Sequence, residues 1–241
     1  MLEIKNVSKR IEDKSIVNAL HLKIKAGQNV ALIGPNGAGK TTTMKMIMGL
    51  ITSDSGDITM EGLSKKEDNR AYLQLLGYVP DEPFFYEELK GSEFLRFTAD
   101  LWDKSLYNHN RPAFEETIQQ LEMGDFLEEP IHTYSLGMKK KLSLLIALIH
   151  QPRILIMDEP LNGLDPMTVY TIKNYINAYI EKGNSVLMST HMMDIAESFC
   201  SHIAVIKKGN LLIHQSIRDM RKNQSKTLEE YFIQLVREEE L

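Results

Sequence analysis

NVALIGPNGAGKTT, from Asn29 to Thr42, joins a continuous apolar run to a glycine-rich turn, and TTTMKMIMGL, from Thr41 to Leu50, reads as a helix. From Gly34 onward the stretch fits the pattern G-x-x-x-x-G-K-[ST] in full. The position is right as well as the spelling, because such a loop works only between a strand and a helix. Glycine lets the backbone curl until several N–H groups point inward at phosphate oxygens. Lys40 is placed to reach the β and γ phosphates of a nucleotide, and the Thr41 hydroxyl to hold Mg²⁺. The helix that follows, with Met44, Ile47 and Met48 on one face, aims its positive dipole end at the same anion. Gly34, Asn36, Gly37, Ala38, Gly39, Lys40, Thr41 and Thr42 are therefore the candidate phosphate-binding residues.

A triphosphate site needs acids for its metal and its water. ILIMDEP, from Ile154 to Pro160, supplies Asp158 and Glu159 at the end of an apolar strand. Alternation along a strand predicts their side chains on opposite faces. At the carboxyl end of a parallel sheet, where ligands sit, Asp158 is the candidate Mg²⁺ ligand. Glu159 is the candidate for polarising the attacking water.

Working outward, LEIKNV near Leu2 and ALHLKIKAG near Ala19 read as strands, as do DSGDITMEG and LLGYVPDEP. From about Pro83 to Gln151 the texture turns helical, in GSEFLRFTADLW, AFEETIQQLEM and KKKLSLLIALIH. Strands return in RILIMDEP, SVLMSTH and IAVIKKG with helices between them. That alternation predicts an α/β fold with a mostly parallel sheet covered on both faces and an inserted helical segment. The tail carries a capping box, Thr227 with Glu230, ahead of an apolar stripe of Leu228, Tyr231, Phe232 and Leu235, which predicts a helix docked on the domain.

Composition limits the partners. With 28 basic and 33 acidic residues the net charge is −5, whereas a general nucleic-acid binder shows a clearly basic domain. Met1–Arg10 is polar and does not read as a secretory leader. The longest apolar run, Leu142–Ile149, is far below the roughly 20 residues that span a bilayer, and reads as a buried helix. The single cysteine, Cys200, reads as a small buried apolar residue.

YSLGMKKKL, from Tyr134 to Leu142, has an unusual helix start. Ser135 is a good N-cap, yet Lys139, Lys140 and Lys141 fill a first turn where acids are favoured. A cap serine, Gly137 and three uncompensated cations predict an anion site, against the plainer reading of a solvated lysine run.

In this order the motifs resemble those of the nucleotide-binding subunits of ATP-binding cassette (ABC) transporters, over nearly the whole chain. YSLGM stands where that family has LSGGQ, keeping Ser135 and Gly137 and replacing a glycine by Leu136. The resemblance implies that this segment contacts the γ phosphate held by a second subunit in a head-to-tail dimer. It implies that NGLD, Asn162 to Asp165, links the two sites, and that His191 touches the γ phosphate and orients water. Asp81 stands where the family has a glutamine that senses Mg²⁺. Ile11 stands where an aromatic residue stacks on adenine, so base contact is apolar without stacking. Phe84, Phe85 and Tyr86 border the groove that receives a membrane-subunit helix, although core packing serves such residues equally well.

The implied fold is a P-loop NTPase core, residues 1–82 and 152–215, with an N-terminal antiparallel β subdomain. A helical subdomain over 83–151 and a helical tail over 216–241 complete it. The implied activity is hydrolysis of ATP with Mg²⁺, on the cytoplasmic face of the membrane, driving transport through a separate permease. Exporters of peptides, antibiotics or hydrophobic compounds carry the nearest signature variants. Two other readings stand beside it: a soluble ATPase of the same type acting on ribosomes or nucleic acid, and a nucleotide-binding regulator without turnover.

Overall fold

The computed structural model describes residues 1–103, 111–223 and 227–238. Residues 104–110 of the expected helical insertion, and 224–226 and 239–241 of the expected tail, lie outside the described residues.

The two N-terminal apolar runs pair as one long hairpin. Strand β1 (Leu2–Ile11) is antiparallel to β2 (Lys14–Ile24), with Ile4 opposite Leu22. On the other edge of β1 lie β4 (Ser55–Met60) and the short β5 (Leu63–Ser64), giving the order β2-β1-β4-β5. Period-2 alternation turns Leu2, Ile4, Leu20, Leu22 and Ile24 to one buried face.

The second sheet holds six strands in the order β10-β9-β3-β8-β7-β6. They are β3 (Asn29–Ile33), β6 (Leu76–Val79), β7 (Ile154–Met157), β8 (Ser185–Thr190), β9 (His202–Lys207) and β10 (Asn210–Ser216). All neighbours are parallel except β10 with β9. Both faces are buried, which is why the strands read as unbroken apolar runs. Ala31, Ile33, Leu155, Met157, Val186 and Met188 face one core, while Val30, Leu32, Ile154, Ile156 and Leu187 face the other. The β1–β2 hairpin and helix α1 (Lys40–Ile47) close the second core.

The first core is closed by helices: α3 (Gly91–Trp102), α4 (Arg111–Gln120), α5 (Leu136–Leu148), α6 (Pro166–Glu181) and α7 (Met193–Phe199). A short α2 (Asn69–Gln74) precedes β6 and is capped by Asp68, which accepts from the Ala71 N–H at 2.9 Å. After β10 come α8 (Ile217–Asn223) and α9 (Leu228–Glu238). The capping box at Thr227 forms as its spacing requires, with Thr227 N–H on Glu230 at 2.9 Å and Glu230 N–H on the Thr227 hydroxyl at 3.3 Å. Leu228 is fully buried and Tyr231, Phe232 and Leu235 pack on the first core. Cys200 is buried, and burial pushes its thiol up to about 12.

The expected class holds: a mostly parallel sheet, an N-terminal antiparallel sheet and a helical layer. Among the described residues no helix is long and apolar enough to cross a membrane.

Candidate active site

Register builds the site. Ile33 lies level with Thr190, Met157 with Met188, and Val79 with Met157. The carboxyl ends of β3, β8, β7 and β6 therefore form one row. The residues just beyond them are Gly34, His191, Asp158 and Pro80 with Asp81, which is the edge where parallel sheets take ligands.

At the first of these ends the loop can be made only with glycine. A Cβ on Gly34 would stand 2.2 Å from the Ile206 carbonyl oxygen. Gly39 is left-handed (φ +104) at the N-cap of α1, and a Cβ there would stand 2.7 Å from the Ile16 carbonyl oxygen. The loop arches over Lys40, whose ammonium donates to the Gly34 and Pro35 carbonyls at 2.8 and 3.2 Å. Burial holds the Lys40 pKa below the ordinary lysine value, partly opposed by the charges of Glu159 and Asp158. A phosphate entering the loop adds negative charge beside this ammonium and favours its protonated form.

The acids follow β7. Asp158 is 3% exposed, and its N–H donates to the Val79 carbonyl at 2.8 Å. Strand β7 stops at Met157, and Glu159 takes a left-handed conformation (φ +43) that few side chains adopt. The expectation that Asp158 and Glu159 face opposite ways is corrected here. The turn breaks the alternation, and both line the same cleft. Ser189, fully buried on β8, fixes the pair: its hydroxyl donates to Asp158 Oδ1 and accepts the Glu159 N–H at 2.9 Å. A carboxylate only accepts, so the 3.0 Å contact between His191 Nδ1 and Glu159 Oε2 places the proton on Nδ1.

A cleft of about 370 Å³ is lined by the loop from Asn36 through Gly37, Ala38, Gly39, Lys40 and Thr41 to Thr42, with Asp81, Asp158 and Glu159, whereas Gly34, Ser189 and His191 are not among its lining residues. Ile11, half exposed at the end of β1, and Ile16 from β2 form its apolar end. The donor set suits Mg²⁺, a hard cation that takes oxygen ligands: a hydroxyl from Thr41 and carboxylates from Asp81 and Asp158 reach one cavity. Ser135 and Gly137 are not among the residues that line it. Ser135 caps α5, accepting from the Met138 N–H at 3.3 Å. A Cβ on Gly137 would stand 2.9 Å from the Thr168 hydroxyl. Asp165 caps α6 and accepts from the Met167 and Thr168 N–H groups, both at 3.0 Å.

The three lysines of α5 are not uncompensated, which corrects the second expectation. Successive helix positions point about 100° apart, so each meets an acid from a different segment. Lys139 pairs with Glu87 at 2.5 Å, Lys140 with Asp81 at 3.4 Å and Lys141 with Glu122 at 3.3 Å. Those acids stand 52, 59 and 19 positions away in the chain, beyond any local reading. Ser189 and Ile16 carry no site signal in the sequence, and Lys140 stands out there only as one of three cations of an expected anion site. Ser189 was within sight in the STH that yields His191, but nothing local shows that its hydroxyl meets the β7 acids. The aromatic run divides: Phe85 is buried on Phe94, with ring centroids 5.4 Å apart, while Phe84 and Tyr86 are 79% and 53% exposed.

Residues 17–162 match the family described as ABC transporter. The chain is 33% identical over 236 residues, 98% of its length and 75% of the relative's, to the uncharacterized ABC transporter ATP-binding protein YhcH of Bacillus subtilis. It is 32% identical to the lantibiotic transport ATP-binding protein SrtF of Streptococcus pyogenes, covering 96% of each chain. A solved structure described as the ATP binding subunit of an ABC transporter superposes with a TM-score of 0.88 at 29% identity, over 98% of this chain and 99% of that one.

Proposed function

The chain belongs to the ABC transporter family, as an ATP-binding subunit that hydrolyses ATP to drive transport, and from that premise we propose that it energises export through a separate membrane-embedded permease. The observation that carries the catalytic part is that Asp158 and Glu159 line one cleft with Lys40, while Ser189 and His191 hold the two acids by hydrogen bonds.

The triphosphate lies along the loop from Gly34 to Thr42, its β and γ phosphates on Lys40 and on the N–H groups of the turn. Thr41, Asp158 and Asp81 would hold Mg²⁺. Held there, the ion would supply positive charge against the charge building on the phosphate oxygens. Glu159 accepts a proton from the water whose oxygen attacks the γ phosphorus, as the bond to the bridging oxygen of ADP breaks. His191 holds the Glu159 carboxylate in orientation. Ile11 and Ile16 give the base an apolar surface without a stacking ring. Ser135 and Gly137, which stand apart from this cleft, complete the cleft of a second subunit across a head-to-tail dimer.

The export direction is supported by the linearmycin resistance ATP-binding protein LnrL of Bacillus subtilis, 33% identical over 88% of this chain and 68% of that one, and a peptide antibiotic as cargo by SrtF, a lantibiotic transport protein similar over 96% of both chains. Docking on the cytoplasmic face of the membrane is supported by Phe84, Tyr86 and Phe97, exposed aromatics in edge contact with centroids 5.7 and 6.0 Å apart. Aromatic residues of this kind are enriched at protein interfaces.

Glu159→Gln in the purified full chain tests the assignment. Removing a general base lowers kcat by about 10²- to 10⁴-fold, while the stabilisation of the fold by added ATP survives. Turnover equal to wild type removes Glu159 from the mechanism. Copurification of the tagged chain with a multispanning membrane protein tests the permease.

A further inference from the structure

Lys140 lies in the first half of α5 with its side chain only 3% exposed. A lysine so buried stays charged only when oxygen acceptors surround its ammonium. Here they come from two segments of the nucleotide cleft. The ammonium donates to the Asp81 carbonyl in a short contact, and also lies 3.4 Å from Asp81 Oδ1 and 3.4 Å from the Glu159 carbonyl. The topology explains the meeting. Strands β6 and β7 are adjacent with Val79 level with Met157, so Asp81 and Glu159, each two residues further on, emerge side by side. Helix α5 packs over β6 and brings Lys140 between them.

We propose that Lys140 is a positioning residue for ATP hydrolysis. Its ammonium ties the Asp81 loop and the Glu159 turn to the helix that begins at Ser135, and the Asp81 carboxylate serves as its counter-charge. Glu159 sits in a left-handed conformation, which surrounding structure must hold in place. Ser189 holds the N–H side of that residue and Lys140 its carbonyl side. Asp81 is then held from the rear by Lys140 while it faces the cleft. The chain thus carries an acid on the loop and a base on the helix that only tertiary packing brings together. This inference rests on the catalytic reading above for its effect on turnover, but the tether itself is independent of catalysis.

The test uses the purified full chain with Lys140→Met, Asp81→Asn and the double variant. Steady-state hydrolysis of Mg-ATP gives kcat and KM, and amide hydrogen exchange without nucleotide reports local opening. Lys140→Met is expected to lower kcat about ten-fold or more with KM changed less than about three-fold, since misplaced catalytic groups act on the chemical step. Exchange should rise in residues 80–86 and 158–162 and stay unchanged in β3 and β9. Asp81→Asn keeps the carbonyl contact but also removes a carboxylate assigned to Mg²⁺, so this variant is read by exchange without nucleotide: exchange should rise less at 80–86 than in Lys140→Met, and the double variant should match Lys140→Met alone because contacting residues are not additive. Should Lys140→Met fail to fold, Lys140→Gln, which keeps a donor in the same space, is read by the same measurements. A kcat of Lys140→Met within two-fold of wild type, exchange that rises evenly through the chain, or an opening at 80–86 that is greater in the double variant than in Lys140→Met overturns the proposal. Glu159→Gln separates the two readings: it stops turnover without raising exchange at 80–86. A wild-type chain that does not hydrolyse ATP refutes the catalytic assignment, while exchange in the Lys140 variants still decides the tether.

Discussion

Replacing Ser189 by alanine should damage this protein more than the loss of one oxygen atom suggests. The hydroxyl is fully buried and serves two partners, donating to Asp158 Oδ1 and accepting the Glu159 N–H. Asp158 is itself 3% exposed, so water cannot easily take over. A hydrogen bond to a buried charge contributes about 1.5–3 kcal/mol, and a buried N–H left without a partner costs about 1–3 kcal/mol. Partial relaxation of the turn brings the expected total to about 3 kcal/mol. For a chain of this size that lowers the melting temperature by about 6–12 °C. Turnover should suffer separately, because the left-handed turn at Glu159 loses the bond that fixes its N–H. Measured well below the melting transition, kcat of Ser189→Ala should fall about ten-fold or more, with nucleotide affinity nearly intact. A melting temperature within about 2 °C of wild type, or an unchanged kcat in folded protein, would show that the Ser189 bridge holds neither acid.

Two further outcomes follow from single features. Gly34→Ala puts a methyl group 2.2 Å from the Ile206 carbonyl oxygen, so β3 and β9 must part; overpacking of this kind costs about 1–3 kcal/mol, and a variant that melts like wild type refutes the close approach. Hydrogen bonds from the Thr168 hydroxyl and the N–H groups of Thr168 and Met167 hold the Asp165 carboxyl below its ordinary value of 3.8. A depressed folded pKa means its contribution is present above 3.8 and is lost as pH falls through the lower folded value. Asp165→Ala should therefore lower the melting temperature at pH 7, with the gap to wild type closing in acid; a gap independent of pH would show that the capping charge is not responsible.

The spelling from Asn29 to Thr42 determined the phosphate loop by itself, because its chemistry is local. Only glycine fits at Gly34 and Gly39, and Lys40 and Thr41 follow within the reach of one turn. Local periodicity likewise determined the strands of the parallel sheet, the capping box at Thr227 and the burial of Leu142–Ile149, since alternation and helical spacing extend over a few residues. The acids were legible as types and not as geometry. Strand alternation predicted Asp158 and Glu159 on opposite faces, whereas the left-handed turn at Glu159, held by a serine 30 positions away, brings both to one cleft. The lysines of α5 were misread as uncompensated because charge acts through space: their acids arrive from α3's approach, from β6 and from the end of α4. Tertiary structure alone decided which charges meet. A run of three lysines is the same string whether solvated, bound to an anion or paired one by one, and only the fold that sets α5 over β6 and β7 distinguishes them.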